Sequence, residues 1–162
     1  WLAAKCTAMI STGTGHDVLA SLYRRPLLLV NFLPLISIHA FHEILAVPKK
    51  LCWAKSGRLL NLDDYLSACY FSSEEYVRAG IKVTNLTCDE LMFAVEEFAN
   101  FLESDGDKII DHSDQAKFWQ GFKRHPLFLG YHAVLHSGAR ISELWLEKYS
   151  KQLLIDDRTK TP

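Results

Sequence analysis

The residues best suited to bind an anion follow the first apolar run of the chain. They combine hydroxyl groups, glycines and a histidine, in the order Ser11, Thr12, Gly13, Thr14, Gly15 and His16. Glycines allow a tight turn, and a turn that opens a helix leaves unpaired backbone N–H groups at the positive end of the helix dipole. A phosphate group is favoured at such a position, and the hydroxyls add donors. The pattern predicts a phosphate-binding turn; the alternative is a purely structural turn without a ligand.

Two familiar glycine motifs do not fit this segment. The dinucleotide fingerprint places a third glycine where this chain has Val18, and the Lys-Ser/Thr ending of a P-loop is absent. Thr14 and Asp17 are spaced as a capping pair for the helix that follows. His16 stands beside any bound anion, where we expect it to donate a hydrogen bond to phosphate or sugar, or to act as a catalytic acid.

Two histidine pairs have a spacing that can place both rings on one side of the backbone. They are His39 with His42, which Glu43 follows, and His132 with His136. Metal sites need a third and usually a fourth ligand, and neither pair has one nearby in sequence, so we predict no metal site. The first pair follows the second predicted strand. Loops on that side of an open α/β sheet face the ligand, so a substrate role there stays open.

The elements that must position these residues form a βαβ unit. The run from Ala8 to Ser11 predicts a short buried strand, and the apolar spacing after His16 predicts a helix that Pro26 ends. Leu27 to Val30 is a continuous apolar run, typical of a strand buried on both faces of a parallel sheet. The crossover between the two strands should be right-handed. We therefore predict an α/β fold with a partial Rossmann-like parallel sheet.

Helix signals continue along the chain. Capping residues predict helix starts at Asn61, at Ser72 with Glu75, at Thr87 with Glu90, and at Ser142. We divide the chain into an α/β domain over residues 1–104 and a C-terminal helical extension over residues 105–162.

Composition and charge exclude several classes of protein. The chain has 162 residues, of which 49% are hydrophobic and 23% charged, which is typical of a globular domain and not of a disordered or coiled-coil protein. The longest apolar stretch, Leu27 to Ile38, spans about 12 residues against the ~20 of a membrane span. Residues 1–60 carry a net charge of +5 and residues 61–162 a net charge of −6. This asymmetry favours a small phosphorylated ligand near the first half over nucleic acid.

The cysteines and the N-terminus bear on location. The four cysteines are widely spaced and contain no Cys-x-x-Cys pair, so we expect free thiols in a reducing cytoplasm. The sequence begins at Trp1, without an initiator Met or the layout of a signal peptide. We therefore expect a fragment whose N-terminal part is missing.

Two blocks of the sequence carry a family resemblance: Ile10 to Asp17, and Arg24 to Phe32. They resemble the C-terminal domain of GT-B glycosyltransferases and the related UDP-N-acetylglucosamine 2-epimerases, in which a Ser/Thr-Gly-rich turn precedes a helix, a proline and an apolar strand. More narrowly, the chain resembles a bacterial family of glycosyltransferases associated with surface polysaccharide synthesis. Further stretches are similar to that family: Val47 to Leu51, Tyr76 to Ile81, Leu86 to Leu91, and Ile141 to Leu146.

The resemblance implies transfer of a sugar from a nucleotide-diphosphate donor to a glycan or lipid-linked acceptor. It implies no cofactor, no metal and no nucleic acid, with a cytoplasmic location that leaves room for peripheral membrane contact. His16 would be the catalytic group, and substrate would bind at Ser11, Thr12, Gly13, Thr14, Gly15 and Asn31. Many relatives hold the ribose with a glutamate where this chain has Val18 or Leu19. The alternatives are a sugar-nucleotide epimerase and a non-catalytic α/β interaction module.

Overall fold

The computed structural model describes residues 1–38, 42–103, 113–131 and 138–154. In chain order its elements are α1 (Leu2–Lys5), β1 (Met9–Ser11), α2 (His16–Leu22), β2 (Leu27–Phe32), a 3₁₀ turn (Leu35–Ser37), β3 (Ile44–Pro48), β4 (Lys50–Trp53), α3 (Leu62–Ser67), α4 (Ser73–Arg78), β5 (Ile81–Thr84), α5 (Cys88–Glu103), α6 (Ser113–Arg124), α7 (Pro126–Tyr131), β6 (Ala139–Ile141) and α8 (Glu143–Leu153).

Four strands of the described chain form a parallel sheet in the order β1-β2-β3-β6. A second sheet pairs β4 with β5 in antiparallel register. The predicted α/β class with a parallel sheet is confirmed, and this sheet is consistent with a Rossmann-like fold. Because all four strands run the same way, their carboxyl ends meet at one edge, and ligands bind at that edge in folds of this kind.

The predicted βαβ unit is present, with one correction. β2 is buried along its apolar run, from Leu27 at 2% exposure to Val30 at 8%. β1 was expected to be buried as well, but Ile10 is 54% exposed. β1 is the last strand on its side of the sheet among the described residues, and the described elements cover the face that carries Ile10 only in part.

The helix starts predicted at Asn61, Ser72, Thr87 and Ser142 are confirmed. The Asn61 side chain accepts from the Asp64 amide at 2.8 Å, and Ser72 and Glu75 form a reciprocal capping box. Thr87 and Glu90 also bond each other in both directions. These interactions are local in sequence, which is why spacing alone indicated them.

The C-terminal segment contributes to the same core as the sheet. β6 pairs with β3, and Gln115 of α6 donates to the Ile141 carbonyl. Glu97 of α5 accepts from the Ser142 hydroxyl at 2.6 Å and from the Glu143 amide at 2.7 Å, which fixes the start of α8. The buried aromatic residues that join these helices to the sheet are Tyr65, Phe118, Phe122 and Trp145.

Among the described helices, none is both long enough and apolar enough to cross a lipid bilayer.

Candidate functional site

A cleft of about 510 Å³ opens at the carboxyl edge of the parallel sheet. We call it the carboxyl-edge cleft. Residues that follow β1, β2 and β3 line one part of it, and the start of α4 and the end of β5 line the rest. The lining residues are Thr12, Gly13, Asn31, Leu33, Lys49, Tyr70, Phe71, Ser72, Ser73, Tyr76, Val83 and Asn85.

The turn after β1 is held together from beneath. Ser11 is buried, and its Oγ accepts a hydrogen bond from the Gly13 amide at 3.2 Å. Gly13 has a φ of +82°, and a Cβ added there would lie 2.8 Å from Cε2 of Phe32. The turn therefore requires glycine for both its conformation and its packing. The Gly13 amide is used within the turn, so it does not point outward to a ligand as the sequence had suggested.

The predicted side-chain cap of α2 is wrong. The N-cap residue is Gly15 instead of Thr14, and no side chain caps the helix. With a φ of +90°, Gly15 starts the helix one residue later than the Thr14–Asp17 spacing requires. Asp17 instead lies in the first turn, where a negative charge interacts favourably with the helix dipole. Its Oδ1 is shielded from solvent and has no hydrogen-bond donor within the described chain.

The predicted site residues fall into two groups. Thr12, Gly13 and Asn31 line the carboxyl-edge cleft, with Ser11 directly below the turn. The remaining residues are exposed and lie outside the lining of the cleft, namely Thr14, Gly15 and His16. An anion in the cleft would therefore sit over the first half of the turn.

Asn31 occupies a conformation that few residues other than glycine adopt. Its φ is +53°, at a shift in the β2–β3 register between Val30 and Phe32. Its Oδ1 accepts a hydrogen bond from the Leu86 amide at 2.8 Å. The side chain thus ties β2 to the segment before α5, and its NH₂ group is the donor that remains for a ligand.

Lys49 is a site residue that sequence reasoning missed. It directly follows β3 and is the one charged residue that lines the cleft in the described chain. Its backbone is fixed from the core: the Tyr65 hydroxyl donates to the Lys49 carbonyl at 3.0 Å and accepts from the Leu51 amide at 2.7 Å. Burial raises the pKa of Tyr65, so its hydroxyl stays protonated and makes both bonds. No local pattern indicated it, because Lys49 is placed at the ligand edge only by the parallel pairing of β3 within the sheet.

Aromatic residues from the segment before α4 and from α4 itself form a rim of the cleft, namely Tyr70, Phe71 and Tyr76. The rings of Tyr70 and Tyr76 meet edge to face with centroids 5.2 Å apart. The Tyr76 hydroxyl donates to the Ala68 carbonyl at 3.2 Å, and burial raises the pKa of Tyr76 to about 12. Phe71 lies beside them with 75% of its surface exposed. The rim therefore has a packed part and one ring that faces solvent.

A carboxylate behind the rim fixes its backbone. Glu75 Oε2 accepts from the amides of Phe71 and Ser72 at 3.0 and 2.9 Å. These two amides, and then the Ser72 hydroxyl, lower the pKa of Glu75. Glu75 thus stays ionised at neutral pH, and it is absent from the residues that line the cleft. Its carboxylate stabilises the loop before α4 instead of facing a ligand in the cleft.

The histidine pairs yield no metal site in the described residues. His39, His132 and His136 lie outside those residues. Nδ1 of buried His42 lies 2.9 Å from the Glu43 carbonyl oxygen. No group of three or more potential ligands among His, Cys, Asp and Glu occurs in the part of the chain that the structure describes. The four cysteines are not joined in disulfides.

One serine–histidine contact resembles a nucleophile with its base, but its proton arrangement excludes that role. Ser67 Oγ lies 3.1 Å from His125 Nε2, and the Leu127 amide donates to Nδ1 of the same ring at 3.3 Å. Nδ1 is therefore the unprotonated nitrogen, and Nε2–H donates to Ser67. Because Nε2 already carries a proton, it cannot accept the one on Ser67.

Comparison with known proteins gives no assignment. The chain matches no family model, no curated protein and no solved structure.

Proposed function

We propose that the carboxyl-edge cleft binds a nucleotide-diphosphate sugar, and that the chain is the donor-binding portion of a GT-B-type glycosyltransferase. The observation that carries the proposal is the chemistry of the lining. Among the described residues it contains one ammonium group, on Lys49, and no carboxylate, and the other polar groups are hydroxyls and amides. Such a lining suits an anionic, polyhydroxylated ligand.

The position of the cleft supports the same ligand. Thr12 and Lys49 directly follow β1 and β3, and Asn31 lies near the carboxyl end of β2 between them, so the three side chains line one volume at the carboxyl edge. When the sugar is transferred, negative charge develops on the leaving diphosphate. An ammonium and hydrogen-bond donors that line the cleft before the reaction stabilise that charge with little reorganisation. His16, at the outer end of the turn, is proposed as a further donor to the leaving group.

The proposed reaction transfers the sugar to a glycan or lipid-linked acceptor in the cytoplasm. A sugar-nucleotide epimerase would use the same cleft, so analysis of the products formed from a nucleotide-sugar donor separates the two enzyme classes. A non-catalytic module would bind no nucleotide there.

Calorimetric titration with UDP, GDP and ADP tests the proposal. We expect saturable binding, and we expect Lys49→Met to weaken it about 10- to 100-fold, since bonds to charged groups contribute about 1.5–3 kcal/mol. Lys55→Met is the matched control, because Lys55 is exposed and lies outside the cleft. Absence of binding by all three diphosphates, or equal affinity for the wild type and Lys49→Met, would refute the proposal.

A further inference from the structure

The rim of the carboxyl-edge cleft presents one large apolar ring to solvent. Phe71 lines the cleft and is 75% exposed, whereas the neighbouring Tyr76 is 5% exposed. Exposing an aromatic ring to water is unfavourable, so the free protein does not gain stability from this side chain. Phe71 differs from the other exposed apolar residues of the described chain in that its ring also lines the cleft, beside Lys49 and the turn after β1.

The backbone around Phe71 is fixed although its ring is not packed in the core. The Phe71 and Ser72 amides both donate to Glu75, and the Glu75 amide donates back to Ser72 Oγ at 3.3 Å. On the other side, Tyr70 packs against Tyr76. The backbone that carries the ring is therefore fixed at the rim, which lowers part of the entropic cost of using Phe71 for binding.

From this geometry, and resting on the proposed function, we infer that Phe71 stacks on the nucleobase of the donor. A flat apolar ring next to a cationic, hydroxyl-rich cleft is complementary to a ligand that joins a planar base to a diphosphate. Inorganic pyrophosphate and sugar phosphates carry the same anionic group but no planar ring. The rim thus selects the nucleoside, while Lys49 and the Thr12 hydroxyl hold the diphosphate.

The experiment compares ligands with and without a base on one pair of variants. ADP, UDP and inorganic pyrophosphate are titrated into the wild type, Phe71→Ala and Phe71→Trp. The matched control is Val77→Ala, because Val77 is 73% exposed on α4 and does not line the cleft. Since Phe71 is exposed, its replacement leaves the fold intact, which a melting curve verifies.

We expect Phe71→Ala to weaken ADP and UDP about 5- to 150-fold, the effect of losing one base–aromatic stack, and to leave pyrophosphate unchanged. Phe71→Trp should restore nucleotide affinity. Unchanged nucleotide affinity in Phe71→Ala, or an equal loss for pyrophosphate, would overturn the stacking role while Lys49-dependent binding still upheld the proposed function. If the wild type binds none of the three ligands, the proposed function fails, and the inference fails with it.

Discussion

The two glycines of the turn after β1 differ in their surroundings. Their replacement by alanine should therefore destabilise the protein to different extents. Both have positive φ, but a Cβ on Gly13 meets the Phe32 ring whereas a Cβ on Gly15 meets nothing within 4 Å. We expect Gly15→Ala to cost about 1 kcal/mol from backbone strain. Gly13→Ala should cost about 1–3 kcal/mol more, because overpacking adds to the strain. Denaturant unfolding measures both, and equal losses would contradict the packing of Gly13 on Phe32.

His16 and Asp17 are neighbours with separate expected effects. His16 is exposed, so His16→Ala should leave the melting temperature unchanged. If it donates to the leaving diphosphate, nucleotide release from UDP-, GDP- or ADP-sugars should slow about 100-fold, as when one preorganised donor is lost. Because Asp17 does not cap α2, Asp17→Ala should cost well below the ~1 kcal/mol of a lost cap. Full turnover in His16→Ala would exclude it as the catalytic group.

The imidazole of His125 makes stability depend on pH. Burial lowers the pKa of His125, although the nearby Asp63 carboxylate opposes this. Below the ordinary pKa of about 6.5 the unfolded chain takes up a proton that the folded chain resists, so stability falls with pH until the folded pKa is passed. His125→Gln should therefore lose less unfolding free energy than the wild type between pH 7.5 and 5.5. Chemical denaturation at both pH values measures the two free energies of unfolding. Equal losses in the wild type and His125→Gln would contradict the lowered pKa of His125.

At the scale of elements, one ion pair connects two helices and another lies within one helix. Lys148 of α8 contacts Glu90 of α5 at 2.5 Å, whereas Lys117 contacts Asp114 at 3.3 Å within α6. Burial raises the pKa of Glu90, but the hydrogen bond from Lys148 and the Thr87 amide outweigh it and bring the pKa to about 2. This carboxylate thus contributes stability above its ordinary pKa, which is lost as the pH falls from about 4.5 towards 2.

We expect Lys148→Met to destabilise the protein by about 1 kcal/mol, and the matched control Lys117→Met to remain within about 0.5 kcal/mol. Most of the Lys148 effect should disappear by pH 2.5, because Glu90 is then protonated in the unfolded chain and begins to be protonated in the folded one. Thermal unfolding at pH 7 and pH 2.5 measures the difference. Identical melting temperatures for the two variants at pH 7 would show that the contact between α5 and α8 contributes nothing.

The elements that sequence patterns predicted are those that local interactions determine. Thr87 with Glu90, and Ser72 with Glu75, bond each other within one helical turn, and β2 is a continuous apolar run. β6 has only three residues and pairs with β3 across more than 90 positions, so no local pattern indicates it. Lys49 was missed for the same reason. Its place in the cleft follows from the strand order, which periodicity does not determine.

At the scale of the whole molecule, the surface around β1 is apolar and lacks a cover in the described structure. Ile10 on the edge strand is 54% exposed, and on the helix that follows β1 Leu22 is 70% exposed, with Tyr23 just after that helix at 56%. An unpaired strand edge is a template for association. We expect the chain to self-associate reversibly at micromolar concentration, and Ile10→Lys to shift it towards the monomer.

Sedimentation velocity over a concentration series measures this association, with Val77→Lys as a control that adds the same charge away from β1. If the wild type stays monomeric at every concentration, the association is excluded. If the two lysine variants have equal effects, the association does not involve the edge of β1.

The edge position of β1 also affects how tightly the proposed ligand binds, because β1 can open locally without the rest of the sheet. The glycine turn extends from a three-residue strand that is bonded to one neighbour, whereas Lys49 extends from β3, which is bonded on both sides. Amide protons of β1 should therefore exchange with solvent through local openings that leave β2 and β3 protected. A ligand that bridges the turn and Lys49 closes those openings, so its apparent affinity is the intrinsic affinity multiplied by the closed fraction. Warming should then weaken binding well below the temperature at which the sheet as a whole unfolds.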